Sequence, residues 1–132
     1  MIVVDASAIV ELLLQADRAA AVRFRLARAD ESLHAPHLLD VEVVSAVRRY
    51  HLGGDLSAQR GREALSDLSA LPVTRYPHDV LLPRIWELRH SLSAYNAVYV
   101  ALAELLDAPL LTLDRRLASA RGHQAQIELL LA

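Results

Sequence analysis

The chain has 132 residues, of which 54% are hydrophobic and 23% charged, and its formal net charge is -2. This length corresponds to about one domain, and the composition is that of a folded protein, because disordered chains combine low apolar content with high net charge. The absence of cysteine excludes disulfides, thiolate metal sites and cysteine nucleophiles. All 14 basic residues are arginine, so mechanisms that need a catalytic or phosphate-binding lysine are excluded as well.

Predicted strands and helices alternate along the chain. In chain order we expect a strand at 1–4, helices at 8–14 and 17–29, a strand at 32–35, helices at 38–51 and 55–70, a strand at 72–76, helices at 80–90 and 93–106, a strand at 108–113, a short helix, and a strand at 127–131. Asp17 is the expected cap of the second helix, and Pro36 is expected to end the second strand.

This alternation predicts an α/β fold, specifically a three-layer α/β/α sandwich with a central, mostly parallel sheet. Parallel strands need crossover connections, and right-handed crossovers place helices on both faces of the sheet. No linker or repeat interrupts the pattern, so we expect residues 1–132 to form one domain.

No part of the sequence has the properties of a membrane span or a targeting segment. No apolar run reaches the roughly 18 residues that a span requires, and Met1 leads directly into the first predicted strand without a basic segment. We therefore expect a cytoplasmic protein. The six histidines are scattered without the spacing of a zinc site, and we expect structural or surface roles for them.

Three acidic residues stand where a ligand site is expected. Asp5 and Asp114 follow predicted strands, and open parallel sheets bind ligands at the carboxyl ends of their strands. Glu42 borders the apolar face of a predicted helix, so its carboxylate needs a partner. Structural alternatives exist for all three: Asp5 and Asp114 as helix N-caps, and Glu42 paired with Arg48 or Arg49. Three carboxylates in one cleft repel each other unless a cation is present, and hard oxygen ligands select Mg²⁺ or Mn²⁺.

Four segments resemble the PIN-domain family, in particular the VapC-type ribonuclease toxins of bacterial toxin–antitoxin pairs. They are VVDASA at 3–8, the stretch from AP at 35–36 to EVVSA at 42–46, AYNAVYVALA at 94–103, and LTLD at 111–114. The third segment is the most specific. The resemblance implies an endoribonuclease that depends on Mg²⁺ or Mn²⁺ and is held inactive by an antitoxin whose C-terminal segment fills the cleft.

Carried over by position, the resemblance implies four catalytic residues, Asp5, Glu42, Asn96 and Asp114. Of these, Asp5, Asn96 and Asp114 are the expected metal ligands. Ser7 and Thr112 are the expected supporting polar residues. The apolar helices, including the stretch 81–88, leave room for a homodimer interface.

Asn96 departs from the family pattern, which normally has aspartate at this position. Two explanations stay open: a natural variant, or a deliberate replacement that allows a toxic enzyme to be produced. An amide oxygen still ligates metal, but the loss of one negative charge weakens metal binding. Because Asn96 shares a predicted helix face with Tyr99 and Val100, we expect its amide to have a specific partner. The rival hypothesis is a catalytically impaired PIN-like module that binds RNA or a protein without turnover.

RNA requires a positive surface, which must come from arginine. Arg115 and Arg116 are the best placed, directly after Asp114; the wider set of candidates also contains Arg48, Arg49, Arg60, Arg62 and Arg121. We expect Arg23, Arg25 and Arg28 on exposed helix faces, paired with nearby acids, and we expect Tyr50 and Trp86 in the core or in an interface.

Overall fold

A five-stranded, entirely parallel sheet forms the centre of the computed structural model, which describes residues 1–28 and 31–131. The strands are β1 (Ile2–Val4), β2 (Leu33–Pro36), β3 (Val73–Tyr76), β4 (Leu110–Thr112) and β5 (Ile127–Leu129). Their spatial order is β3-β2-β1-β4-β5, with β1 in the middle. Because all neighbouring pairs are parallel, every strand ends at the same edge of the sheet.

Seven α-helices connect these strands within the described residues. They are α1 (Ala6–Leu13), α2 (Ala19–Leu26), α3 (Leu38–Leu52), α4 (Ala58–Ala70), α5 (Leu82–Glu87), α6 (Ala94–Leu106) and α7 (Arg115–Ser119), and a 3-10 turn (Asp79–Leu81) precedes α5. Ser57 and Ser93 fix the starts of α4 and α6, because each hydroxyl accepts a hydrogen bond from the backbone N–H three residues later.

Hydrophobic residues pack on both faces of the sheet, and β1 contributes to both. Ile2 and Val4 pack with the buried residues of α1 to α4, whereas Val3 packs with those of α6 and α7. The division follows from the alternation of side chains along a strand. The three-layer α/β/α prediction is confirmed, and the sheet is parallel throughout.

The predicted cap of α2 is wrong, whereas the predicted end of β2 is close to the observed one. Asp17 does not cap α2; Arg18 occupies that position, and its backbone N–H instead donates to Glu11 Oε2 at 2.8 Å, which ties the turn to α1. The predicted end of this helix at residue 29 lies outside the described residues. β2 ends at Pro36 as expected, and Pro36 is itself the last residue of the strand, in register with Tyr76, because the fixed φ of proline is compatible with extended backbone at a strand end.

Arg25 is buried, although we expected it on an exposed helix face. It is 5% exposed, and its guanidinium donates to both oxygens of Glu128 at 2.6 and 2.9 Å and to Glu31 at 3.0 Å. The expected acidic partners are present, and they compensate the buried charge. The pair joins α2 to β5.

Within residues 1–28 and 31–131, no helix is long and apolar enough to cross a membrane.

Candidate active site

A cleft of about 500 Å³ opens at the carboxyl edge of the sheet, where the end of β1 and the end of β4 meet α1, α3 and α6. All four predicted catalytic residues line this cleft. Its polar lining consists of Asp5, Ser7, Glu11, Arg18, Glu42, Ser45, Arg49, Tyr50, Asn96, Tyr99 and Asp114. Residues from four separate parts of the sequence therefore share one surface depression.

Asp5 directly follows β1 and is 6% exposed. Its Oδ1 accepts hydrogen bonds from Ser7 Oγ at 2.6 Å and from the backbone N–H of Ala8 at 3.1 Å, and its Oδ2 accepts one from Thr112 Oγ1 at 2.5 Å. Asp5 is thus the N-cap of α1 and a cleft residue at once. Burial raises the pKa of Asp5; the hydrogen bonds from Ser7 and Thr112 oppose that rise, and the charge of Asp114 adds to it.

Two hydroxyls fix Asp5 against the end of β4. Thr112 is fully buried, and its Oγ1 also accepts the backbone N–H of Asp114 at 3.0 Å. Ser7 Oγ accepts the backbone N–H of Leu113 at 3.0 Å. Ser7 and Thr112 therefore lie where supporting residues are expected, between the two strand-end aspartates.

Asp114 follows β4 and begins α7. Its Oδ1 accepts the backbone N–H groups of Arg116 at 2.8 Å and Leu117 at 3.4 Å, so it is an N-cap as well as a cleft residue. It is partly exposed, whereas Asp5 is buried. Asp5 and Asp114 are therefore both helix N-caps, as the structural alternatives predicted, and both also line the cleft.

Glu42 lies on α3, and its hydrogen-bond partner is Tyr99 on α6. Tyr99 Oη donates to Glu42 Oε1 at 2.6 Å. The alternative pairing with Arg48 or Arg49 is wrong, since Glu42 forms no ion pair in the described part of the chain. Burial raises the pKa of Glu42, the hydrogen bond from Tyr99 lowers it, and the charge of Asp5 raises it further. Burial also raises the pKa of Tyr99, and its bond to Glu42 adds to the rise.

Sequence reasoning missed Tyr99 as a residue of the site. The available signal was its position three residues after Asn96, which puts both on one side of a helix. An aromatic in a buried helix is ordinarily a core residue, and Tyr99 is 2% exposed. Only the packing of α6 against the cleft directs its hydroxyl to Glu42.

Asn96 lies in the first turn of α6, and its backbone N–H donates to Ser93 Oγ at 3.3 Å. The Asn96 side chain forms no hydrogen bond with residues 1–28 or 31–131, so no protein group in that part of the chain is the specific partner that we expected for its amide. The physical reason is position. Val100 on the same face is fully buried, whereas Asn96 is one turn nearer the helix start and partly exposed in the cleft. Its amide oxygen remains available to a ligand.

The cleft has the donor chemistry of a divalent-ion site without the geometry of a preformed one. Among the residues that the structure describes, no group of three or more histidine, aspartate or glutamate side chains could hold an ion as placed. The available donors are carboxylate and amide oxygens, which suit Mg²⁺ or Mn²⁺. The charge of Asp114 raises the pKa of Asp5, the charge of Asp5 raises the pKa of Glu42, and a bound cation relieves both effects. The residues therefore fit a hard divalent ion.

The basic residues in the lining are Arg18 and Arg49. Arg115 and Arg116, which we predicted to bind RNA, are exposed at the start of α7 and lie outside the lining. Tyr50 does not belong to the core: it is 45% exposed and lines the cleft.

The fold and the cleft together define a parallel α/β/α protein whose acidic residues gather at the carboxyl edge of the sheet. The sequence profile of the PIN domain matches residues 2–122. The chain belongs to the PIN-domain family.

Its relatives include VapC proteins. Ribonuclease VapC9 of Mycobacterium tuberculosis is 48% identical over 127 residues, which cover 96% of this chain and 96% of that protein. The crystal structure of M. tuberculosis VapC20, a sarcin-ricin loop cleaving toxin, matches with a TM-score of 0.71 at 16% identity, over 90% of this chain and 94% of that one. VapBC2 from Rickettsia felis, bound to a DNA fragment from the promoter, matches with a TM-score of 0.69 at 12% identity, over 98% of each chain. The two structures establish the likeness of fold.

Proposed function

We propose that this protein is a metal-dependent endoribonuclease that acts as the toxin of a type II toxin–antitoxin pair. The observation that carries the proposal is the meeting of Asp5, Glu42, Asn96 and Asp114 in one cleft. Membership of the PIN-domain family and the similarity to ribonuclease VapC9 over nearly the whole chain support it. We treat residues 1–132 as one PIN-like domain.

Asp5, Asn96 and Asp114 are the proposed ligands of Mg²⁺ or Mn²⁺. When bound, such an ion supplies Lewis acidity at the scissile phosphodiester and lowers the pKa of the attacking water. Ser7 and Thr112 hold the Asp5 carboxylate in one orientation through both of its oxygens. Asn96 contributes an uncharged oxygen, so the site binds the ion less tightly than a site with four carboxylates.

Glu42 is the proposed general base. Its Oε1 accepts the Tyr99 hydrogen bond, which leaves Oε2 to orient the water and accept its proton. The raised pKa of Glu42 suits this role, because a base is most effective when its pKa approaches the working pH. Tyr99 positions the carboxylate and does not contact the reacting atoms.

The proposed partners are RNA, a cognate antitoxin and a second copy of the chain. The likeness to VapBC2 of R. felis supports an antitoxin partner. Around α5, Val80, Leu82 and Trp86 are 67%, 57% and 66% exposed, and an apolar surface of this kind supports a homodimer. Arg115 and Arg116 remain predicted RNA contacts beside the cleft.

RNA cleavage by matched variants tests the function. We expect Asn96→Asp to cut single-stranded RNA at least about tenfold faster than the protein with Asn96, because one charge pair at about 4 Å contributes about 4 kcal/mol at an effective dielectric near 20. Adding Asp5→Ala, or EDTA, abolishes the cleavage. A well-folded Asn96→Asp protein that leaves RNA intact with Mg²⁺ and with Mn²⁺ contradicts the proposal.

The second candidate function is binding without turnover, which Asn96 itself favours. In that case the protein with Asn96 binds RNA or antitoxin but cuts no RNA at any divalent-ion concentration. A titration with Mn²⁺ separates the two, because a weakened nuclease recovers activity as its site fills.

A further inference from the structure

One face of α3 forms a wall of the cleft. Glu42, Ser45, Ala46, Arg49 and Tyr50 all line it, and their spacing of i, i+3, i+4, i+7 and i+8 puts them on one side of a helix. At a rise of about 1.5 Å per residue, Glu42 and Arg49 are separated by about 10 Å along the helix axis. The same wall therefore has an acidic end and a basic end.

An RNA strand needs that basic end. Asp5, Glu42 and Asp114 repel its phosphates, and bound cations offset the repulsion only at the acidic end of the cleft. Of the two arginines in the lining, Arg18 lies 3.6 Å from Glu11 Oε2, so its charge is partly compensated. Arg49 forms no ion pair and no side-chain hydrogen bond within residues 1–28 and 31–131. Its charge is available to a ligand.

Tyr50 is next to Arg49 and presents an aromatic ring to the same cleft. It is 45% exposed, and its hydroxyl has no hydrogen-bond partner in the described parts of the chain. Unpaired bases stack on exposed aromatic rings, whereas bases within a duplex are already stacked on one another. An arginine and a tyrosine side by side provide the two contacts that single-stranded RNA uses, one to phosphate and one to a base.

We propose that Arg49 and Tyr50 bind a nucleotide that flanks the scissile one: Arg49 contacts its phosphate, and Tyr50 stacks on its base. The separation of about 10 Å from Glu42 along α3 assigns this pair to a neighbouring nucleotide and not to the phosphate that is cut. The site selects single-stranded RNA. This inference rests on the proposed ribonuclease function and assigns two further residues to the binding of its substrate.

Binding to a fluorescein-labelled single-stranded oligoribonucleotide, measured by anisotropy with Ca²⁺ in place of Mg²⁺, tests the proposal. Arg49→Ala weakens binding about tenfold and lowers the dependence of log affinity on log salt by about one. Tyr50→Ala also weakens binding, and Tyr50→Phe, which keeps the ring, does not. A duplex of the same sequence binds more weakly to the unmodified protein and is insensitive to Tyr50→Ala.

Matched controls are available in the same molecule. Arg23→Ala removes the same charge from an exposed position of α2, outside the cleft lining, and leaves RNA affinity within about twofold. Phe24→Ala removes an aromatic ring that is 77% exposed on α2 and also leaves affinity unchanged. All these side chains are exposed, so thermal midpoints that stay constant establish that the variants are folded.

Three outcomes overturn the inference. Equal RNA affinities for Arg23→Ala and Arg49→Ala overturn it, and so does a duplex that binds as well as the single strand. An Arg49→Ala protein that loses affinity for its antitoxin but not for RNA assigns this face to a protein partner. The proposed function is tested separately, because RNA binding that depends on Arg49 in a protein that never cuts RNA refutes the nuclease and retains the site. If Arg49→Ala cleaves RNA with an unchanged KM, the proposed nuclease is retained and the proposed binding site is refuted.

Discussion

Tyr99 Oη on α6 donates a hydrogen bond to Glu42 Oε1 on α3 at 2.6 Å. The hydroxyl is contributed by a side chain that is 2% exposed, so its position is fixed by the packing of α6 on the sheet. Glu42 is thereby held by a neutral donor, which leaves its negative charge uncompensated and its second oxygen open to the cleft.

Removing the Tyr99 hydroxyl tests its role in positioning Glu42, because the Glu42 carboxylate itself is kept. In Tyr99→Phe, burial still raises the pKa of Glu42 and the opposing hydrogen bond is gone, so the acidic limb of the cleavage profile moves to higher pH. The free energy of unfolding falls by about 1 to 2 kcal/mol, the usual contribution of one such bond. Urea denaturation and a pH–rate profile measure the two effects. Tyr95→Phe, at a position 64% exposed, alters neither; an unmoved acidic limb in Tyr99→Phe argues against the positioning role.

Thr112 connects the two strand-end aspartates through one buried hydroxyl. Thr112→Val keeps the shape but leaves Asp5 Oδ2 without its donor and the Asp114 N–H without its acceptor. We expect a loss of about 2 to 4 kcal/mol in the free energy of unfolding, since each buried group left unpaired costs about 1 to 3 kcal/mol. Urea denaturation measures it. Thr74→Val on the exposed side of β3 serves as the control, and equal losses at the two positions would disprove the network.

Divalent ions are expected to stabilise the fold in proportion to the charge of the cleft. At about a hundred times its Kd, a bound ion adds about 2.7 kcal/mol to the free energy of unfolding. Asn96→Asp increases the affinity for Mn²⁺ by at least about tenfold. In EDTA we expect Asn96→Asp to be less stable than the protein with Asn96, because a fourth carboxylate adds repulsion that no cation relieves.

Thermal midpoints with Mn²⁺ and with EDTA test both halves of this expectation. Asp5→Asn is the companion variant: it loses the response to Mn²⁺, because the site loses one of its charged ligands. An Asn96→Asp protein that is more stable in EDTA than the protein with Asn96 contradicts the account.

His34 predicts a pH dependence that does not involve the cleft. It lies in β2 at 7% exposure, with Nε2 at 2.7 Å from Ser32 Oγ and Nδ1 at 2.7 Å from Tyr76 Oη. Burial lowers the pKa of His34, and the nearby N-terminal ammonium lowers it further. Below the ordinary histidine pKa of about 6.5 the unfolded chain therefore binds more protons than the folded one.

The contribution of His34 to the free energy of unfolding is therefore complete above that pH. It is lost as the pH falls through the lowered pKa of the folded state. Urea midpoints across this range measure the loss. His34→Gln, which can still bridge Ser32 and Tyr76, shows a smaller loss on acidification. Identical pH profiles for the two proteins would rule out His34 as the source.

The two strand-end aspartates were predictable from the sequence, because their positions depend only on the apolar stretch before each of them and on the geometry of a parallel sheet. Asp5 and Asp114 each follow an apolar stretch, and a parallel sheet brings the carboxyl ends of its strands to one edge. The same reasoning identified the helix that carries Glu42. It also left helix capping and lining the cleft as alternatives for each aspartate, whereas in the structure each aspartate does both.

The partners of these residues were not predictable in the same way. Tyr99 and Glu42 are 57 residues apart, and Arg25 and Glu128 are 103 apart; neither pairing follows from helical spacing. Sequence reasoning offered only arginines on its own helix as side-chain partners for Glu42 and expected Arg25 at the surface, because it sees neighbours along the chain and not the elements packed against them. Arg49 was one candidate among several until the cleft showed which arginines line it.

The central position of β1 has a consequence for the order in which the molecule is assembled. Asp5 is made first, but its hydrogen bond from Thr112 spans 107 positions of the chain, and β4 pairs directly with β1. During synthesis the first strand therefore lacks one of its two neighbours until β4 has emerged from the ribosome. Any activity that depends on Asp5 and Asp114 acting together therefore begins only after β4 and the residue that follows it have been translated.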